Sequence, residues 1–326
     1  MVIVVGAIVL GAWTTGQFRG VVAARAECNG HAELCARRYN DVAYAATHNA
    51  MSNVADDFTA PYQERSIEDQ LEGGIRAFLI DVYTGTPTAE RVCTDPTPLL
   101  VAQIRRDEGK AAVDQLLATR NSQCPPAGGP TASVYLCHGF CELGATRFSD
   151  SLHGIRGFLH QHPNDVVTLI LEDYAVASDI AQAFRDAGLE RSMVRHAPGR
   201  PWPTLHQMKR RGTRLVVFAQ HQGGDARGLL GAFEEMGETP YSFHSAAELS
   251  CRPNRGIATS PPLFLLNHWI DDPNRRAAAA MVNGFDVLSA RAKQCQRERG
   301  HLPNFVAVNF AEDGDLLRVV DDLNGF

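Results

Sequence analysis

Two histidines in the 326-residue sequence each follow a short apolar segment, and this pairing suggests acid–base chemistry. His48 comes after segment 42–47, and His138 comes shortly after segment 133–136. Histidine titrates close to neutral pH, so one ring can take a proton from an attacking hydroxyl while the other protonates a leaving alkoxide. A lone histidine in such a place can equally be a buried ring satisfied by the backbone. Two histidines in matching places favour catalysis.

Three further side chains offer oxygen atoms at comparable places. Asn49 follows His48, while Asp81 and Glu172 stand at or just after the ends of two other apolar segments. One amide oxygen and two carboxylates are typical of a site for a hard cation, Ca²⁺ first and Mg²⁺ as the alternative. Such a cation offsets the charge that gathers on phosphoryl oxygens, so the set predicts attack on a phosphodiester. The structural alternatives are a left-handed turn at Asn49 and loop caps at the two acidic residues.

The elements that must position these side chains alternate between two types. Apolar segments predict strands at 42–47, 75–83, 133–136, 166–171, 214–219, 263–269 and 305–310, with a weak one near 241–242. Helical patterns lie between them, at 66–71, 101–119, 147–161, 179–187, 205–211, 226–236 and 275–295. This alternation predicts a parallel α/β sheet, and its seven or eight units predict a single-domain, TIM-like (β/α)8 barrel with distorted or incomplete closure left open. An open doubly wound sheet is the alternative, but the first strand ends in Thr47-His48-Asn49 without the glycines of a dinucleotide site.

A parallel barrel gathers reactive groups at the carboxyl ends of its strands. Because strand side chains alternate between faces, Leu79 and Asp81 share one face, as do Ile170 and Glu172. If the apolar members fill the barrel, the polar members point into its mouth, where burying them without a ligand is costly. Two later polar residues near strand ends are predicted to contact the substrate headgroup or phosphate: Asn267 and Asn309.

At these positions the sequence resembles the PI-PLC X-domain family of PLC-like phosphodiesterases, in its X-domain-only branch. The motifs that carry the resemblance are Thr47-His48-Asn49-Ala50-Met51-Ser52, Gly74-Ile75-Arg76-Ala77-Phe78-Leu79-Ile80-Asp81, Leu136-Cys137-His138-Gly139, Leu169-Ile170-Leu171-Glu172-Asp173, Cys251-Arg252-Pro253-Asn254-Arg255 and Pro303-Asn304-Phe305-Val306-Ala307-Val308-Asn309. They run in the family's order over about residues 28–325.

The resemblance implies a role for each of these residues. His48 would be the general base and His138 the general acid, and an inositol 2-hydroxyl would attack phosphorus to release diacylglycerol and a cyclic phosphate. Asn49, Asp81 and Glu172 match positions that hold calcium in the metal-dependent members.

Two departures from the family pattern concern the cation. The metal-dependent members have a further carboxylate where this chain has Leu79, whereas the metal-independent bacterial members have an arginine where it has Asp81. The aspartate favours a metal site, and the leucine suggests that the cation is held differently. Two alternative functions therefore stay open: a glycerophosphodiester or sphingolipid phosphodiesterase on the same barrel, and a non-catalytic lipid-headgroup-binding module.

Composition and cysteine content bear on partners and compartment. The net charge is -6 and no long basic run is present, which argues against nucleic acid as a partner. We expect a monomer that contacts a phospholipid or other phosphodiester substrate and, transiently, a membrane surface. Residues 1–18 carry no charge and Ala24-Arg25-Ala26 offers a cleavage site, so 1–26 is predicted to be a signal peptide or an N-terminal anchor and 27–326 the barrel domain.

The eight cysteines lie after this leader and predict a secreted or extracytoplasmic protein, with membrane anchoring through the N-terminus left open. They do not form CxxC pairs, which argues against a zinc site. We predict that sequence neighbours pair, as Cys28–Cys35, Cys93–Cys124, Cys137–Cys141 and Cys251–Cys295.

Overall fold

The fold is described from a computed structural model over residues 27–107, 109–224 and 228–326, so the predicted leader at 1–26 lies outside the described residues. The strands are β1 (Tyr44–Thr47), β2 (Ala77–Pro87), β3 (Val92–Thr94), β4 (Ser133–Cys137), β5 (Ala145–Arg147), β6 (Val167–Asp173), β7 (Leu215–Ala219), β8 (Leu230–Gly231), β9 (Met236–Glu238), β10 (Leu263–His268) and β11 (Phe305–Val308). The α-helices are α1 (Ile67–Glu72), α2 (Pro98–Asp107), α3 (Lys110–Gln123), α4 (Phe148–Gln161), α5 (Ala177–Asp186), α6 (Leu205–Arg211), α7 (Ala232–Glu235), α8 (Arg275–Val282), α9 (Phe285–Arg299) and α10 (Leu316–Asn324).

Parallel strands follow one another around the sheet in chain order, as in a (β/α)8 barrel. The order is β8-β7-β6-β2-β1-β11-β10-β9, and the last barrel strand, β11, pairs back onto β1. The ring stays open between β8 and β9, which are not paired with each other in the part of the chain described. Only the four residues of α7 connect them, and a parallel pair needs a crossover of roughly a dozen residues or more. The predicted TIM-like fold is confirmed, with incomplete closure at this place.

An antiparallel ribbon rises from the barrel edge and corrects one prediction. Segment 133–136 was predicted to be the third barrel strand, but β4 runs antiparallel to the outer half of β2 and pairs with β5. Leu136 stands opposite Val82, so β4 carries His138 back down toward Asp81. His138 therefore reaches the barrel mouth from outside the barrel, because β2 extends past the barrel edge and its outer half pairs with β4.

The two faces of the strands contribute to two separate apolar clusters, as the alternation predicts. Leu79 and Ile170 belong to the apolar cluster that includes Tyr44, Phe218 and other residues inside the ring. Their neighbours on the opposite face pack against the surrounding helices, as Ile80 does. Asp81 and Glu172 stand directly opposite each other in the β2–β6 register, so the two carboxylates end adjacent inward-facing rows.

Several helix boundaries differ from the sequence prediction. The helix predicted at 101–119 is divided into α2 and α3, which starts after Gly109 in a left-handed conformation (φ 85°), and that at 275–295 is divided into α8 and α9 at Asn283 and Gly284. The helix predicted at 226–236 is wrong: α7 covers four of its residues and lies between β8 and β9. The weak strand expected near 241–242 is instead β9, and α10 was not anticipated.

Four disulfides confirm the predicted neighbour pairing: Cys28–Cys35, Cys93–Cys124, Cys137–Cys141 and Cys251–Cys295. In the described part of the chain no helix has both the length and the apolar character needed to cross a bilayer.

Candidate active site

A cavity of about 90 Å³ opens at the carboxyl ends of the barrel strands and is called the mouth cavity below. Its lining contains five of the residues predicted from the sequence, namely His48, Asn49, Asp81, Glu172 and Asn267. Leu79, Gln220, Glu238, Tyr241, Arg255 and Trp269 also line it, with Ile80, Ile170 and Leu265. The strand-end residues thus converge on one place, although they are far apart in the sequence.

His48 is held at the end of β1 by two neighbours. Its Nδ1 lies 2.8 Å from Asn309 Oδ1, and its ring stacks on Trp269 with centroids 3.7 Å apart and planes 2° apart. Because the amide oxygen can only accept, Nδ1 carries the proton and Nε2 is left as an acceptor. The pKa of His48 is lowered to about 3, chiefly by burial and to a smaller extent by the nearby charges of His138 and Arg275, against the opposing effect of the Asn309 bond. The ring is therefore neutral at neutral pH.

His138 has the opposite electrostatic setting. Its Nδ1 lies 2.9 Å from Asp81 Oδ2, and the Asp81 carboxylate is 7% exposed. Burial on its own would lower the pKa of His138, but the hydrogen bond to Asp81 and the charges of Asp81 and Glu172 outweigh it, so the pKa is raised. This histidine favours the protonated form.

Tyr62 connects the two histidines and was not singled out in the sequence. Its hydroxyl lies 3.2 Å from His138 Nε2, and its ring centroid is 4.7 Å from that of His138 and 5.3 Å from that of His48. Arg275 lies over the same ring, 4.4 Å from its centroid. Both imidazoles therefore contact one aromatic ring, with a guanidinium beside them. Tyr62 comes from an irregular loop, where no strand-end pattern could have indicated it.

Asp81 and Glu172 form a crowded acidic pair. Burial, and then the charge of Asp81, raise the pKa of Glu172 to about 7, although Tyr174 donates a hydrogen bond to it. Beside them the Asn49 side chain, 3% exposed, has an amide nitrogen with no hydrogen-bond partner in the described residues. A half-turn of that amide group would present its oxygen instead. Two carboxylates that repel each other and an unsatisfied amide match the donor set of a hard cation.

The opposite wall of the mouth cavity is built on an ion pair. Arg255 Nε donates to the fully buried Glu238 over 2.5 Å, and its guanidinium lies over the rings of Phe233 and Tyr241, 4.5 and 4.8 Å from their centroids. Asn267 donates to the same carboxylate over 3.2 Å. The motif at 251–255 was noticed in the sequence, but nothing there indicated that its arginine reaches the cavity.

The two asparagines predicted to contact substrate differ in position. Asn267 lines the mouth cavity, where its amide donates to Glu238 and to the Thr239 carbonyl. Asn309 is 2% exposed and lies behind His48 as the acceptor for Nδ1. A direct substrate contact by either residue stays a prediction.

Comparison with known proteins places the chain in a family. A family model described as PI-PLC X 1 matches residues 110–324, which include His138 and Glu172 and exclude His48 and Asp81. A PI-PLC X domain-containing protein from Arthroderma benhamiae is 26% identical to the chain, over 91% of the chain and 89% of the relative. A further relative from the same organism, described as an uncharacterized secreted protein, is 23% identical over 89% of the chain, which spans 61% of that protein's length.

Among solved structures, a mutant of the phosphatidylinositol-specific phospholipase C from Staphylococcus aureus is similar in fold, with a TM-score of 0.50 and 10% identity. The similarity covers 88% of this chain and 93% of that one. Because the family model spans more than half of the sequence, the chain belongs to the PI-PLC X domain family.

Proposed function

We propose that the protein is a phosphodiesterase that cleaves phosphatidylinositol-like phosphodiesters by intramolecular attack. The observation that carries the proposal is the pair His48 and His138, which contact one tyrosine ring and have opposite protonation preferences. A neutral imidazole and a protonated one, close together at the same barrel mouth, are what a base and an acid on two sides of a phosphorus atom require.

His48 is the proposed general base. Asn309 accepts from Nδ1 and Trp269 stacks on the ring, so Nε2 is presented as the proton acceptor in one orientation. It would take the proton of the inositol 2-hydroxyl as that oxygen attacks phosphorus. His138 is the proposed general acid, because Asp81 stabilises its protonated form and leaves Nε2–H to protonate the diacylglycerol oxygen. Tyr62, whose hydroxyl contacts that nitrogen, would have to yield it to the leaving group.

Asn49, Asp81 and Glu172 would hold a divalent cation, Ca²⁺ by preference and Mg²⁺ as the alternative. When bound, the cation would neutralise charge on the phosphoryl oxygens and lower the pKa of the attacking hydroxyl. The raised pKa of Glu172 supports this assignment, because a cation relieves the repulsion that causes part of the shift. Cationic side chains also approach the site, since Arg255 lines the mouth cavity and Arg275 lies near both histidines.

A phospholipid substrate at a membrane surface fits the rim of the mouth. The segments that follow β1, β4, β6 and β9 each expose large apolar side chains, which are Val54, Phe140, Leu143, Val176 and Tyr241, at 37–47%. Exposed apolar side chains on the segments that surround one site fit a surface that contacts lipid. The four disulfides and the relative described as secreted support an extracytoplasmic location. We expect the protein to act as a monomer.

The test uses vesicles containing phosphatidylinositol and a soluble chromogenic inositol phosphodiester, each assayed with Ca²⁺ and with excess chelator. His48→Ala and His138→Ala should each lower turnover by about a hundredfold or more, while the protein stays folded and unfolds cooperatively on heating. His153→Ala, on the exposed side of α4, is the control and should be fully active. Cyclic inositol phosphate should appear before the open phosphate.

Other outcomes would redirect the proposal. Unchanged turnover in either histidine variant would contradict its role, and full activity in chelator would contradict the cation. Cleavage confined to glycerophosphodiesters or sphingolipids would replace the substrate class. Binding of inositol phosphodiesters by the unaltered protein without cleavage would instead indicate a headgroup-binding module.

A further inference from the structure

A second cavity, of about 700 Å³, lies at the end of the barrel opposite the mouth. Its walls come from the segment before β7, from α6 and from the residues before β1: Met193 pairs with Leu215 at the start of β7, and Arg38 pairs with Thr204 just before α6. The amino ends of parallel strands meet at one edge of a sheet, so this cavity opens away from the mouth cavity. None of the proposed catalytic residues lines it.

The cavity is strongly cationic, although the whole chain has a net charge of -6. Its lining includes five arginines and a single carboxylate, and we call it the arginine basin: Arg38, Arg191, Arg195, Arg200 and Arg211, with Glu190. The Glu190 carboxylate lies 3.9 Å from Arg195, and it can offset only one of the five positive charges. The basin therefore has a large excess of positive charge.

Three of these arginines have no compensating partner within the described part of the chain. The side chains of Arg191, Arg200 and Arg211 make no hydrogen bond or ion pair with the residues that the structure describes. Clustered guanidinium groups without carboxylates repel one another. Binding of an anion relieves this repulsion and is therefore favourable. Guanidinium forks also match phosphate and sulfate oxygens in a two-point geometry.

An aromatic pair, His196 and Trp202, is part of the basin lining and is held by neighbouring contacts. His196 stacks on Trp202 with centroids 3.8 Å apart, and Arg38 donates to the Trp202 carbonyl over 2.8 Å. The indole nitrogen of Trp202 is buried without an acceptor among the described residues. The carboxylate of Glu235 contacts the other side of His196 and is 1% exposed, so it is screened from the basin.

We infer that the arginine basin is a binding site for a compact polyanion with clustered phosphate or sulfate groups, separate from the mouth cavity. A soluble anion fits better than a membrane, because a bilayer at the basin would leave the exposed apolar rim of the mouth on the far side of the molecule. The inference does not depend on the proposed phosphodiesterase activity.

Binding of inorganic tripolyphosphate, measured by titration calorimetry at low and at physiological salt, tests the inference, with a heparin fragment as the sulfated counterpart. The unaltered protein should bind at one site, more weakly as salt rises. The variant R191A/R200A/R211A should bind tripolyphosphate at least about tenfold more weakly, with thermal unfolding unchanged because all three side chains are exposed. Orthophosphate should bind more weakly than tripolyphosphate, because it engages fewer guanidinium groups.

The charge-matched control is R105A/R106A/R297A, which removes three exposed arginines outside the basin and should bind normally. The inference would be overturned if both variants bound tripolyphosphate equally weakly, because only general charge attraction would then be left. It would also be overturned if neither tripolyphosphate nor the heparin fragment showed saturable binding to the unaltered protein. Vesicles of phosphatidylcholine and phosphatidylglycerol provide a further arm. If the basin variant lost vesicle binding yet kept tripolyphosphate binding, the basin would be a membrane contact and the inference would be wrong. Phosphodiester turnover should be equal in both variants, whatever its level.

Discussion

At the scale of single residues, Leu79 is the side chain that bears most directly on the proposed cation site. It lines the mouth cavity one step deeper in the barrel than Asp81, on the same strand face, and packs with Ile170 in the inner core. A carboxylate at this position would add a third negative group to the acidic pair, and each added oxygen ligand and charge tightens the binding of a hard cation. The leucine therefore predicts weaker cation binding than a site with three carboxylates would show.

Leu79→Asp should restore a tighter site. We expect the dissociation constant for Ca²⁺, measured by titration calorimetry, to fall at least about tenfold, which corresponds to about 1.4 kcal/mol. Without calcium the buried carboxylate should lower the melting temperature, and calcium should recover it. Leu79→Asn is the matched control, because it has the size of aspartate and one amide oxygen but no charge, and it should bind calcium less tightly than Leu79→Asp does. Equal affinities in the Asp and Asn variants would contradict a cation site at Asp81 and Glu172.

Sequence reasoning at this scale identified polar side chains at the ends of regular strands and missed those that come from loops. His48, Asp81 and Glu172 follow apolar runs, so their approach to one another is a consequence of sheet geometry. Tyr62 and Arg275 reach the histidines from an irregular loop and from the start of α8, where nothing in the local pattern gives a direction. Their positions depend on tertiary packing alone.

At the scale of elements, the direction of β4 is the main result that the sequence did not contain. An apolar run between turn residues is equally consistent with a parallel barrel strand and with an antiparallel ribbon. The long β2 decides between them, because its outer half at Tyr83 to Gly85 extends beyond the barrel and pairs with β4. The predicted meeting of His138 with the acidic pair thus holds for a different structural reason.

A short disulfide loop then positions His138 at the end of β4. Cys137 and Cys141 are both buried and close a loop around the histidine, and the Cys141 amide donates to Thr94 Oγ1 over 2.8 Å. We expect C137A/C141A to lower kcat by about ten- to a hundredfold with KM changed less than threefold, since small displacements of an acid group cost rate more than binding. C28A/C35A removes another short disulfide, outside the mouth cavity, and should keep full kcat. A normal kcat in the first variant, with circular dichroism unchanged in both, would show that the loop does not position the acid.

At the scale of the whole molecule, local patterns were sufficient for the fold class and for the covalent links. Strand–helix alternation predicted the barrel, and each cysteine pairs with a sequence neighbour at most 44 residues away. The opening of the ring depends on segment 230–238, where β8, α7 and β9 are too short to give a periodic signal. The charge of the arginine basin was equally hidden, since its arginines come from separate segments of an acidic chain.

Acid stability is a property of the whole fold to which one buried histidine outside the mouth cavity should contribute. His268 is fully buried between the Val282 carbonyl and the guanidinium of Arg291, and burial lowers its pKa to about 3. The unfolded chain takes up the proton near pH 6.5 and the folded chain does not, so this site destabilises the fold progressively as pH falls from 6.5 toward 3. The raised pKa of Glu172 acts in the opposite sense, and comparison with a single-site variant removes its contribution.

His268→Gln keeps a donor for the carbonyl and an acceptor for Arg291 but cannot be protonated. Near pH 7.5 we expect the variant to be somewhat less stable than the unaltered protein in denaturant unfolding, because the smaller side chain packs less well. Below pH 6.5 the unaltered protein should lose stability relative to the variant by up to about 1.4 kcal/mol per pH unit, so the two curves converge and then cross. His153→Gln, on the exposed side of α4, should give a curve parallel to that of the unaltered protein. Parallel curves for His268→Gln as well would mean that this ring is not held neutral by the fold.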